Sequence, residues 1–125
     1  MKVIIFQPAL PNYRIDFFNR ISNFDNLDLN VYYSEAGLGI LTKSSNNYKW
    51  ANKIGNIISL IPGLDWQIGA MSINISQADC IVVCGAPRNL TTILILLKAK
   101  LRNKKTVWWG HYWSSTSKKF RQRIR

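Results

Sequence analysis

The stretch DCIVVCG at residues 79–85 is the clearest buried strand in the sequence. Its apolar run from Cys80 to Cys84 leaves no polar face, which is typical of a strand covered on both sides in a parallel sheet. After it the sequence predicts a helix over Thr91 to Leu101, with Asn89 as N-cap, and a further strand over Lys105 to Trp109. Strand, helix and strand in this order form the repeating unit of an α/β fold.

The same alternation precedes this unit. The predicted elements are a strand over Lys2 to Phe6, a helix over Tyr13 to Asn23 capped by Asn12, a strand over Leu27 to Tyr33, a strand over Asn56 to Leu60, and a weak helix over Trp66 to Ile75. Residues 35–47 have the composition of a long loop, and a basic helix is predicted from about residue 118. The pattern predicts one α/β domain over residues 1–125, with a Rossmann-like, doubly wound parallel sheet.

The predicted helix over Thr91 to Leu101 has an apolar stripe in helical register. Its members are Ile93, Leu94, Leu97 and Leu101. Basic side chains cluster toward the carboxyl end of this helix, where positive charge also suits the helix dipole.

The net charge of +11 is confined to the last third of the chain. Up to Asp79 there are six basic and six acidic residues, whereas from Cys80 onward there are eleven basic residues and no acidic one. Such asymmetry predicts an anionic partner, either a membrane surface, a phosphorylated ligand or nucleic acid. The apolar runs are too short for a transmembrane helix or a signal peptide, so a cytoplasmic location is expected.

The two cysteines are expected to be buried core residues in a reducing compartment. On one strand Cys80 and Cys84 would lie about 13 Å apart on the same face, too far for a disulfide. Together with the single histidine, His111, they are too few soft ligands for a zinc site.

Candidate site residues follow three of the predicted strands, at the edge where ligands of open α/β sheets bind. Asn12, Tyr13 and Arg14 follow the first strand, Arg88 follows the strand at residues 80–84, and His111 follows the last strand together with Tyr112 and Ser114. An arginine at a helix start can hold a phosphate or carboxylate, and a histidine can act as a general base. The alternatives are a capped helix start, a solvated turn arginine and a structural histidine. Glycine-rich phosphate-binding fingerprints are absent after the first strand.

Two motifs resemble one enzyme family. LPNYR at residues 10–14, followed by two phenylalanines and a helix, resembles the opening of bacterial glycosyltransferases of family 4. WWGH at residues 108–111 with a following serine resembles the segment near the end of that family's N-terminal domain. The two motifs stand in the right order and separation, and the resemblance covers almost the whole chain.

The resemblance implies the acceptor-binding half of a GT-B fold. Such a domain belongs to a retaining hexosyltransferase that moves a sugar from a nucleotide-sugar to a lipid-linked or polysaccharide acceptor, without a metal or other cofactor, and often at the inner face of the cytoplasmic membrane. It further implies that His111 is the catalytic histidine of the cleft. The acceptor would contact Asn12, Tyr13, Arg14, Arg88, Tyr112 and Ser114.

The family's donor site, with its paired glutamates, has no counterpart in the sequence. We therefore expect an N-terminal portion of a longer enzyme that does not transfer sugar alone. The alternative is a small basic module that binds nucleic acid or a membrane surface without catalysis. Base stacking is disfavoured because the tryptophans lie in a strand and its exit, whereas most charges lie in flanking helices. A response-regulator-like or flavodoxin-like module is a third alternative, but the acidic cluster of a phospho-acceptor is missing.

Overall fold

The computed structural model describes residues 1–34, 48–84 and 88–110. This part of the chain contains seven strands, two α-helices and a single 3₁₀ turn at Ala70–Ser72. In chain order the elements are β1 (Lys2–Gln7), α1 (Asn12–Ser22), β2 (Asp28–Tyr33), β3 (Ala51–Lys53), β4 (Ile57–Ile61), β5 (Leu64–Gln67), β6 (Cys80–Cys84), α2 (Leu90–Leu101) and β7 (Lys105–Trp109).

Five of the strands form one parallel sheet in the order β3-β2-β1-β6-β7. The first strand is central, and the chain builds outward from it in both directions, first to β2 and β3 and later to β6 and β7. The direction of building therefore reverses between β1 and β6. This arrangement confirms the predicted α/β class with a parallel sheet, and it is compatible with a Rossmann-like fold.

The two helices cover opposite faces of the sheet, and consecutive residues of β1 point alternately to these faces. Ile4 and Phe6 belong to the core that includes Ile95 of α2, whereas Val3 and Ile5 belong to the core that includes Phe18 of α1. Both faces of the central strand are buried, as its unbroken apolar sequence predicts. Within the described ranges, neither helix has the length and apolar character needed to cross a membrane.

The segment between β2 and β6 differs from the prediction. The strand predicted over Asn56 to Leu60 is β4, but it pairs antiparallel with β5 in a separate hairpin rather than joining the main sheet. The helix predicted over Trp66 to Ile75 is wrong, because Leu64–Gln67 is a strand and only one 3₁₀ turn follows. The third strand of the main sheet is instead Ala51–Lys53, which is short and polar and forms through pairing with β2.

The packing of α2 also differs from the prediction. Three of the four stripe residues face outward: Ile93 is 47% exposed, Leu97 52% and Leu101 77%. The buried residues of the helix are Thr91, Thr92, Ile95 and Ala99. Small side chains allow the helix to approach the sheet closely. Because apolar residues lie on nearly all sides of this helix, the periodicity of its sequence does not identify the face that is buried.

The two helix starts differ. Asn89 caps α2 as predicted, its side chain accepting a hydrogen bond from the Thr91 N–H at 3.1 Å. For α1 the predicted cap is wrong, because Pro11 occupies the N-cap position and no side chain caps the helix. Asn12 is therefore the first helical residue and is exposed.

Candidate functional site

The carboxyl ends of β1, β6 and β7 form the edge of the sheet at which the strand order reverses. Gln7 ends β1, Cys84 ends β6 and Trp109 ends β7. In open α/β sheets, ligands bind in the crevice beside this reversal point, outside the carboxyl ends of the strands. We call this place the switch-point crevice and define it by these three residues together with Arg14.

Arg14 reaches the switch-point crevice from the first turn of α1. Its Nη1 atom donates to the Gln7 Oε1 atom at 3.1 Å and to the Cys84 Sγ atom at 3.4 Å. Its guanidinium carbon lies 4.6 Å from the centroid of the Trp109 ring and 5.6 Å from that of Tyr13. Contacts with residues of three strands therefore hold the guanidinium group in one place, and its side chain is half-buried.

A buried polar network supports the crevice from below. Gln67 Nε2 donates to the Gln7 carbonyl oxygen at 2.7 Å and to Ser34 Oγ at 3.0 Å. The backbone N–H of Gln67 donates to Thr91 Oγ1 at 2.8 Å. These bonds join the ends of β1 and β2, the hairpin and the first turn of α2. They therefore hold in place the end of β1, where Gln7 lies.

The charge of Arg14 has no carboxylate partner within the described ranges. The ion pair described there joins Arg20 to Asp16, on the exposed surface of α1. Burial raises the pKa of the Cys84 thiol, and the charge and hydrogen bond of Arg14 lower that pKa by less. The thiol is therefore neutral at pH 7, and its contact with Arg14 is not an ion pair.

The predicted site residues are distributed unevenly around this crevice. Arg14 lies within it, Tyr13 flanks it and is 77% exposed, and Asn12 is exposed one residue earlier. Arg88 is exposed at the turn before α2, where its carbonyl oxygen accepts from the Asp65 N–H at 2.8 Å. His111, Tyr112 and Ser114 lie outside the described residues, so their roles stay predictions.

Four contributors were not among the candidate site residues predicted from the sequence: Gln7, Cys84, Trp109 and Gln67. The sequence predicted Cys84 only as a core residue, and it placed Gln67 in a predicted helix that does not form. Gln7 carried a recognisable signal, since it is a polar residue that directly follows the apolar run of β1. Nothing local in the sequence places Gln67 beneath it, because 60 residues separate the two.

Other clefts lie away from the switch-point crevice. A cavity of about 430 Å³ lies at the opposite edge of the sheet, between the end of α1 and the starts of β2 and β3. A groove of about 660 Å³ runs between α2 and β7, with apolar residues and three lysines along it. No group of three or more histidine, cysteine or acidic side chains in the described part of the chain could hold a metal ion.

Comparison of the chain with protein-family models, with curated proteins and with solved structures found no match.

Proposed function

We propose that this domain is the acceptor-binding part of a retaining glycosyltransferase with a GT-B fold. It would bind a lipid-linked or polysaccharide acceptor, while a second domain binds the nucleotide-sugar donor. One observation carries the proposal. Arg14 of the LPNYR motif stacks on Trp109 of the WWGH motif, so the two motifs meet at one crevice although 95 residues separate them.

The position of the crevice suits an acceptor site. It lies at the carboxyl edge of the sheet, which in a two-domain enzyme of this kind borders the cleft between the domains. Under this proposal Arg14, with Asn12, Tyr13, Arg88, Tyr112 and Ser114, contacts the acceptor. His111 follows the end of β7 by two residues and would be the catalytic residue.

Sugar transfer by the domain joined to a donor-binding domain tests the proposal. We expect Arg14→Gln to lower kcat/KM by about tenfold to a hundredfold, because a charge-assisted hydrogen bond contributes about 1.5–3 kcal/mol. Arg20→Gln, which changes an exposed arginine of the same helix, should leave transfer unchanged.

The catalytic assignment is tested separately. We expect His111→Ala to lower kcat by at least a hundredfold, since general acid–base groups contribute about 10²–10⁴-fold. Unchanged transfer by this variant would remove the role of His111 and leave the acceptor site standing. Absence of transfer in every arrangement with a donor-binding domain would contradict the proposed function itself.

A second candidate function, binding to an anionic membrane surface, is favoured by the outer face of α2. Ile93, Leu97 and Leu101 are exposed at successive turns of one face. Lys100, Arg102 and Lys105 are exposed nearby at the end of the helix and the start of β7. Lys98 and Lys104 are not equivalent to these, because their Nζ atoms donate to backbone carbonyl oxygens of residues 71, 73 and 76.

Sedimentation with anionic vesicles tests this surface. Replacing Lys100, Arg102 and Lys105 together by glutamine should weaken binding on the order of a hundredfold, at about 1 kcal/mol for each basic residue near the surface. A control with Arg20→Gln and Lys49→Gln changes exposed charges elsewhere and should bind as the parent does. Tighter binding to single-stranded DNA than to vesicles across a salt series would favour nucleic acid instead.

A further inference from the structure

Arg14 has hydrogen-bonding capacity beyond its contacts in the fold. A guanidinium group has five N–H donors, of which two are on each Nη atom and one on Nε. The contacts to Gln7 and Cys84 both use Nη1. Among the described residues no acceptor faces Nε or Nη2, and the adjoining thiol is neutral. With respect to residues 1–34, 48–84 and 88–110, one edge of a fixed cation is therefore available for a ligand.

Gln7 supplies a second and independent sign of a ligand. Its side chain is fully buried, and its Nε2 atom has no hydrogen-bond partner in the part of the chain that the structure describes. The orientation of the carboxamide is determined, since Oε1 must face the Arg14 donor. A buried N–H group without an acceptor is costly, so an acceptor atom that reaches it stabilises the site.

The unused polar atoms of the two side chains are all hydrogen-bond donors. Nε, Nη2 and the Gln7 amide group all donate, and the start of α1 beside them has no side-chain cap on its backbone N–H groups. A neutral sugar hydroxyl would satisfy one donor at a time. A carboxylate or phosphate offers several acceptor oxygens and a negative charge, and it matches the planar edge of a guanidinium group.

We infer that Arg14 and Gln7 form a binding site for an oxyanion, a carboxylate or a phosphate group. The Trp109 ring beneath the guanidinium group and the Cys84 contact hold Arg14 in place before the ligand arrives. Only the identity of the molecule that bears the oxyanion rests on the proposed function. Under that function it would be an acidic or phosphorylated sugar of the acceptor.

Calorimetry of the full chain with three monosaccharides tests the inference. The salt concentration is about 0.15 M, at which interactions between exposed charges are largely screened. Glucose is the neutral probe, glucuronate carries a carboxylate, and glucose 1-phosphate carries a phosphate. We expect at least one anionic sugar to bind at least tenfold more tightly than glucose, and which one binds identifies the oxyanion. Equal binding of all three, or binding of none, would overturn the inference.

Variants locate the binding at these two residues. Arg14→Lys keeps the charge but removes the planar edge, and we expect at least a tenfold loss of affinity for the anionic sugar. Gln7→Glu places a carboxylate against Arg14 and should abolish binding, while thermal unfolding reports whether the fold is kept. Arg20→Gln is the matched control and should bind as the parent does. Equal affinity of Arg14→Lys and Arg20→Gln would overturn the assignment to this crevice.

The outcome is separable from that of the proposed function. Anion binding without sugar transfer in the joined enzyme would keep the oxyanion site and reject the glycosyltransferase. Sugar transfer without anion binding would keep the glycosyltransferase and reject the oxyanion site.

Discussion

The two helices of this domain both carry basic side chains, but they present them in different ways. In α1, Arg14 is fixed by contacts with the ends of three strands, and it faces a crevice. In α2, Lys100 is exposed beside an outward apolar stripe, and Arg102 is exposed directly after the helix. A fixed cation can select a ligand by geometry, whereas exposed cations attract any anionic surface and are screened by salt.

The two helices bury side chains of different size, a phenylalanine in α1 and mostly small residues in α2. The more polar helix, α1, buries Phe18 completely against the sheet, while the more apolar α2 leaves Ile93, Leu97 and Leu101 exposed. The two helices are therefore expected to respond differently when a large apolar side chain is removed. Four substitutions, three of them with a matched control variant, test how the described contacts stabilise the fold.

The largest expected effect is on the core beneath α1. Phe18→Ala should lower the free energy of unfolding by about 3–5 kcal/mol, because it removes a fully buried ring and leaves a cavity. Leu97→Ala on the outer face of α2 should change it by less than about 0.5 kcal/mol. Urea unfolding of both variants measures the difference. Similar losses would show that the outer face of α2 is covered in solution.

The next effect concerns the ring under Arg14. Trp109→Ala should lower the free energy of unfolding by about 2–3 kcal/mol, since the ring packs against Phe17 and Phe18 and contacts the Arg14 guanidinium group. Trp108 is 48% exposed and points to the other face of the sheet, so Trp108→Ala should cost less than about 1 kcal/mol. Denaturant titration followed by circular dichroism compares them. A reversed order would contradict the assignment of Trp109 to the crevice.

A smaller loss is expected where α2 joins the polar network. Thr91→Val keeps the shape of the side chain but leaves the buried Gln67 N–H without its acceptor, at a cost of about 1–3 kcal/mol. Thr106→Val, at an exposed position of β7, is the control and should be close to neutral. Thermal unfolding measures both. A neutral Thr91→Val would mean that the network does not hold the helix to the sheet edge.

The smallest effect is a pH dependence of stability at Cys84. Burial raises the pKa of this thiol above its ordinary value of 9.0, so the folded protein keeps the proton to higher pH than the unfolded chain. The stability that this provides is complete below pH 9 and is lost as the pH rises toward the raised pKa. Between pH 8 and about 9.5 the parent should lose more stability than Cys84→Ala, by less than about 1 kcal/mol. Urea midpoints at both pH values test the difference, and identical losses would contradict it.

The sequence by itself determined the α/β class, the strands β1, β2, β6 and β7, and the existence of both helices. Unbroken apolar runs predict strands covered on both faces, and this information is local. Arg14 was also recognisable from its place after the first strand, beside a helix start.

Only the tertiary structure decided the pairing of β3, the hairpin of β4 and β5, and the face that α2 buries. A three-residue polar strand forms because β2 offers it hydrogen bonds, and a helix apolar on most sides is oriented by the fit of small residues such as Ala99 against the sheet. The crevice arises in the same way. Gln7, Arg14, Cys84 and Trp109 are brought together by the order of the strands, and strand order depends on contacts between distant residues that no local pattern contains.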